Sequence, residues 1–81
     1  MRWNVIINPN RYVIERRQYI PGYINIYSSA YLNNDRNVWK IWDDIKMATR
    51  FNLKDVLKEI VYINQEWEEP NTFFKIEEIK P

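Results

Sequence analysis

The chain contains neither histidine nor cysteine. That removes the usual nucleophile–base pairs and the usual zinc ligands. Catalysis would fall to carboxylates, lysine, tyrosine or a hard metal. Asp43-Asp44 is the one adjacent aspartate pair, and its oxygens could hold Mg²⁺. It also stands where a helical turn would open, and aspartate there caps orphan amides and complements the helix dipole. Capping is the expectation. Glu68-Glu69 and Glu77-Glu78 read as solvated charges on a loop and a strand edge. Gly22 is the single glycine, so no glycine-rich phosphate loop exists, and Ser28-Ser29 has no partner base. No catalytic residue, metal site or cofactor is expected, and the chain reads as a non-enzyme.

The remaining chemistry lies in tyrosine and arginine. Tyr19, Tyr23, Tyr27 and Tyr31 recur every four positions, with Arg16 and Arg17 just upstream. Pro21-Gly22 cannot lie inside a helix, so this rhythm is not a helical stripe. Pro followed by Gly favours a type II turn between two strands. A two-residue loop would set Ile20 against Tyr23, Gln18 against Asn25, Arg16 against Tyr27, Ile14 against Ser29 and Tyr12 against Tyr31. Arg16 over Tyr27 would then be a cross-strand cation–π pair, and Tyr12 with Tyr31 an aromatic pair. One extra loop residue would slip the register and change every partner.

A face of Tyr, Arg, Asn and Gln has the composition that stacks bases and neutralises phosphates. It is also the composition of protein-binding hot spots. Tyrosines are equally plain strand formers. Trp39 and Trp42 differ by three positions, so in a strand they point to opposite faces, one toward the core and one outward. The candidate partner- or ligand-binding residues are Tyr12, Arg16, Arg17, Tyr23, Tyr27, Tyr31 and Trp39.

The elements that must position these residues follow from local signals. Trp3–Ile7 reads as a first strand stopped at Asn8-Pro9-Asn10, and 11–20 as a second. Tyr23–Leu32 alternates as a third, and Val38–Trp42 forms a short fourth. Ile45–Thr49 is a single helical turn. Asn52 is a good N-cap with Asp55 three residues on, opening a helix over Leu53–Asn64. Leu53, Val56, Leu57, Ile60, Val61 and Asn64 share one helix face. Thr72–Ile79 is a closing strand. In the simplest register Val13, Ile24, Ile26, Ala30 and Leu32 meet the helix. The expected fold is α+β: a small, mainly antiparallel sheet of four to five strands with one amphipathic helix packed on one face.

Eighty-one residues make a single domain over 1–81, with no internal repeat, low-complexity tract or linker. The net charge of +1 is unevenly spread: residues 1–40 carry six bases against two acids, residues 41–81 six bases against nine. Near-neutrality argues against a mainly phosphate-binding role. No apolar run approaches transmembrane length, and Trp3–Ile7 is too short for a signal peptide core. With no cysteine, a reducing cytoplasmic setting is expected.

The stretch "WDDIKMATRFNLKDVLKEI", residues 42–60, resembles a pattern in small uncharacterised phage and mobile-element proteins. Those run as a "YVI"-type strand, a second strand, an aromatic or polar residue with "DDI..A..F", a helix and an "F.I.E"-type strand; here Tyr12-Val13-Ile14, Trp42-Asp43-Asp44-Ile45 with Ala48 and Phe51, and Phe74-Lys75-Ile76 fill those places. The chain departs from the pattern in an extra N-terminal strand and a long stretch before Trp39. The resemblance implies a fold and a phage-like context, and it carries no catalytic residues. An abundance of Asn and Ile beside scarce Gly and Ala fits an AT-rich coding sequence. The expected function is a non-enzymatic interaction protein, phage-derived, that binds and inhibits a host or anti-phage defence protein in the bacterial cytoplasm. The alternative is a nucleotide or nucleic-acid binder on the Tyr/Arg face. No membrane is involved, and an uncovered edge strand could pair two copies.

Overall fold

The computed structural model describes residues 9–35 and 38–80. It is an α+β domain: four antiparallel strands with one helix against them. The strands are β1 (Tyr12–Tyr19), β2 (Tyr27–Asp35), β3 (Val38–Trp42) and β4 (Thr72–Glu78), and the helix is α1 (Leu53–Glu66). The sheet order is β3-β2-β1-β4, so α1 carries the chain from one edge of the sheet to the other. The predicted strand Trp3–Ile7 lies outside the described residues.

The registers assign every strand residue to a face. Tyr12, Ile14 and Arg16 of β1, Ala30 and Leu32 of β2, Trp39 and Ile41 of β3, and Phe74 and Ile76 of β4 share the helix side. Ile14 and Leu32 meet Val56 and Ile63 of α1 in the buried core, ringed by Tyr12, Trp39, Phe51, Ile60, Trp67 and Phe74. The other face carries Val13, Glu15, Arg17 and Tyr19, then Tyr27, Ser29 and Tyr31, Lys40 and Trp42, and Phe73, Lys75 and Glu77.

The hairpin corrects the expected register. Pro21-Gly22 does make a type II-like turn: Gly22 has φ 87° and the Tyr23 amide donates to the Ile20 carbonyl at 3.0 Å. That turn does not match strand twist. The chain bends on through Ile24 and Asn25 before the Ile20 amide reaches the Ile26 carbonyl at 3.0 Å. Ile20 therefore meets Ile26 instead of Tyr23, and β2 starts at Tyr27. An odd slip exchanges faces. Tyr27 lies opposite Tyr19, Arg16 lies between Ala30 and Phe74, and Tyr31 lies between Glu15 and Trp42. The expected Arg16–Tyr27 and Tyr12–Tyr31 pairs do not form. Ala30 and Leu32 do meet the helix side, Val13 turns to the other face, and Ile24 and Ile26 stand exposed in the loop.

β1 and β2 pair only from Glu15↔Tyr31 to Tyr19↔Tyr27. Past that point the 49–51 segment wedges between them. Phe51 exchanges bonds of 2.8 and 3.0 Å with Tyr12, while the Thr49 amide donates to the Leu32 carbonyl at 3.0 Å. The predicted helical turn is a 3-10 turn, Ile45–Met47, with Asp44 Oδ1 accepting from the Lys46 amide at 2.9 Å. This is the capping role expected of Asp44.

Asn52 caps α1 as expected, its Oδ1 accepting from the Asp55 amide at 2.7 Å. The helix runs two residues past Asn64, to Glu66, and Trp67 closes it by donating to the Ile63 carbonyl at 2.9 Å. The expected apolar stripe is only partly covered. Val56 is buried and Ile60 packs on the core, joined by Ile63 and Trp67, but Leu53, Leu57, Val61 and Asn64 face solvent. The apolar arc is wider than the strip that the sheet covers.

Candidate interaction site at the hairpin end of the sheet

The longer loop places an aromatic row across three strands. Tyr19 sits in the middle on β1, half buried. Its ring centroid lies 5.0 Å from that of Tyr27 on β2 and 5.7 Å from that of Phe73 on β4, the second contact edge-to-face at 79°. Both geometries suit the ring quadrupole. The row forms because Tyr19 pairs directly with Tyr27, while the Tyr19 amide donates to the Asn71 carbonyl at 2.8 Å just before β4. Asn71 has φ 58°, a left-handed conformation that asparagine tolerates.

Arg17 closes the row on one side. Its guanidinium carbon lies 4.6 Å from the Tyr27 centroid, a cation–π contact. Glu15 fixes it there: Arg17 Nε donates to Glu15 Oε1 at 2.8 Å, and the Ser29 hydroxyl donates to Glu15 Oε2. Glu15 is only 6% exposed, so its charge is compensated by two donors rather than by water. The bonds from Arg17 to Glu15 and then to Tyr19 raise the guanidinium pKa further. Beside this network, burial first and the charge of Glu77 second push the Tyr31 phenol pKa up.

Next to the row is the loop 20–26, which contains no charged residue. Ile24 is 86% exposed and Tyr23 58%, with Ile20 and Ile26 exposed beside them. A recess of about 560 Å³ lies among Tyr19, Ile20, Tyr23, Ile24, Asn71 and Phe73. A second, of about 500 Å³, lies on the far flank among Pro21, Ile26, Tyr27 and Pro70. Tyr19, Ile20 and Asn71 wall both.

Of the residues singled out in sequence, Arg17, Tyr23 and Tyr27 gather at this end, and Tyr31 lies farther along the same face. Three go elsewhere. Tyr12 is on the helix side, where its hydroxyl donates to Glu78 Oε2 at 3.2 Å and Arg11 stacks on its ring at 5.7 Å. Arg16 is also on the helix side, its Nε buried without a hydrogen-bond partner. Trp39 packs on the core, 6.4 Å from Phe51. Trp42, not Trp39, is the exposed member of that pair. Sequence reasoning missed Tyr19, Phe73 and the loop isoleucines. Tyr19 and Phe73 meet only through the β1–β4 pairing, which has no local signal. The isoleucines were legible as an uncharged apolar run beside Pro-Gly. Neither a protein-family model, nor a curated protein, nor a solved structure matches this chain.

Proposed function

We propose that this chain is a small non-enzymatic binding protein that seats its hairpin end on another protein. One observation carries the reading: an uncharged loop exposes Ile20, Tyr23, Ile24 and Ile26 beside the Tyr27–Tyr19–Phe73 row. A contiguous apolar patch of this kind marks an interaction surface. Tyrosine and a pre-positioned arginine are the side chains that dominate protein interfaces. Ordering costs at the site are small because Glu15 already fixes Arg17 and the rings already pack. In the same proposal, the partner is a host or anti-phage defence protein that is inhibited by being covered, in the bacterial cytoplasm, and the chain is of phage origin. The phage-like sequence pattern around Asp43–Phe51 supports that part. Among the described residues, no helix is long and apolar enough to cross a membrane.

A second reading rests on the stack itself: a base could extend the Arg17–Tyr27–Tyr19 series. The first reading is preferred because loop 20–26 offers phosphate no cation and Arg17 is already engaged by Glu15. Thermal stability against a panel of oligonucleotides and nucleotides separates the two. The protein-binding reading expects no shift. A stabilisation lost in Arg17→Ala would favour the second. Affinity capture from host lysate tests the first directly, with a Tyr23→Ala/Ile24→Ser variant as the control that should lose the captured protein.

A further inference from the structure

We infer that the chain forms a two-fold symmetric dimer through β4, with α1 packing against its own copy above the joined strands. This goes beyond the binding role of the hairpin end and stands or falls separately from it. Three observations on one flank converge on it.

Among the described residues β4 is an edge strand, paired on one side by β1. Along β4, residues such as Lys75 and Phe73 bond inward to β1, which leaves the amides and carbonyls of Phe74 and Ile76 pointing outward. Within Thr72–Glu78 neither proline nor a bulge interrupts the strand, and an edge left open among the described residues is a template for another strand.

Lys75 and Glu77 of β4 are charge-complementary about Ile76. Antiparallel pairing centred there sets Ile76 against its copy, Lys75 against the partner's Glu77, and Phe73 against the partner's Ile79. Each unlike pair occurs twice by symmetry. Opposite charges directly across strands favour a register. Centring instead on Lys75 or Glu77 would oppose like charges.

The third observation is the uncovered helix stripe. α1 lies over β1 and β4. Its Lys58–Glu59–Tyr62 flank lines a recess with Asn34 and Trp39, toward β3. Leu53, Leu57 and Val61, all about half exposed, lie on the opposite flank and therefore overhang the β4 edge. Strands pair about 4.8 Å apart. A helix seated between β1 and β4 then stands about 10 Å from its copy, the distance at which helices pack. One symmetry operation covers both the open edge and the apolar stripe.

Sedimentation equilibrium of the full chain at about 100 µM tests this. The expected result is a dimer whose dissociation constant rises roughly tenfold or more in Lys75→Glu and in Leu57→Glu, with tighter association regained in Lys75→Glu/Glu77→Lys. Leu57 is half exposed in the single chain, so Leu57→Glu keeps the monomer fold, checked by circular dichroism. A monomer at that concentration would overturn the inference. So would a dimer that neither Lys75→Glu nor Leu57→Glu weakens.

Discussion

Glu15 is the residue on which the Arg17–Tyr27 contact depends. It is buried, and both of its oxygens are occupied, one by Arg17 and one by Ser29. Glu15→Ala leaves the Ser29 hydroxyl and the Arg17 guanidinium without that acceptor and should cost about 1–3 kcal/mol in urea unfolding. It should also release Arg17 from Tyr27. Glu15→Gln, which keeps an acceptor but not the charge, should cost less. Tyr31 gives a pH test. Its phenol pKa is raised in the folded state, so folding favours the protonated ring. That contribution is fully present below the unfolded pKa and is lost as pH rises through the folded value. Stability should therefore decline above about pH 10, and Tyr31→Phe should flatten the decline. Denaturation midpoints across the alkaline range measure both. The candidate residues were legible by type: tyrosine and arginine stood out from the composition. Their companions were not, because Tyr19 is one tyrosine among six until the pairing with Tyr27 and Phe73 is known.

At the scale of elements, local signals sufficed wherever the determinant was local. β3 spans Val38–Trp42 as its alternation predicts, and the Asn52 cap starts α1 where its side chain can reach the Asp55 amide. The β1–β2 register depended on something the sequence leaves open: how many residues follow the Pro-Gly turn before the ladder resumes. The type II turn supplied the direction change but the wrong twist, so Tyr23–Ile26 became loop and the side chains exchanged faces. Gly22 has open space around it, so only its positive φ demands glycine. Gly22→Ala should destabilise by about 1 kcal/mol from backbone strain alone, read by thermal unfolding. The helix makes the complementary case. Periodicity reveals an apolar arc but not which part the sheet will cover. Val56→Ala, in the buried core, should cost about 1–3 kcal/mol, while Val61→Ala on the uncovered flank should cost less than about 0.5 kcal/mol in a monomeric sample.

At the scale of the whole molecule, the described sheet and helix give two unlike sheet faces. The helix side holds the core, and the other face holds the Glu15 network and runs into the aromatic row and the apolar loop at the hairpin end. Size and composition predicted a single α+β layer pair, since one amphipathic helix can cover only one face of a small sheet. Which end of the sheet would carry function was hidden in the long-range β1–β4 pairing that brings Asn71 and Phe73 beside Tyr19. The central claim is that this end, and not the helix flank, seats a partner protein of a different kind from the chain itself. Quantitative affinity capture from host lysate tests it most directly, comparing the wild-type chain with Ile24→Ser/Tyr27→Ala at the hairpin end and with Leu57→Ser on the helix flank. A protein recovered stoichiometrically by the wild type and by Leu57→Ser, but lost with Ile24→Ser/Tyr27→Ala, is the predicted result. Recovery of the same proteins by all three chains, or of none by the wild type, would contradict it.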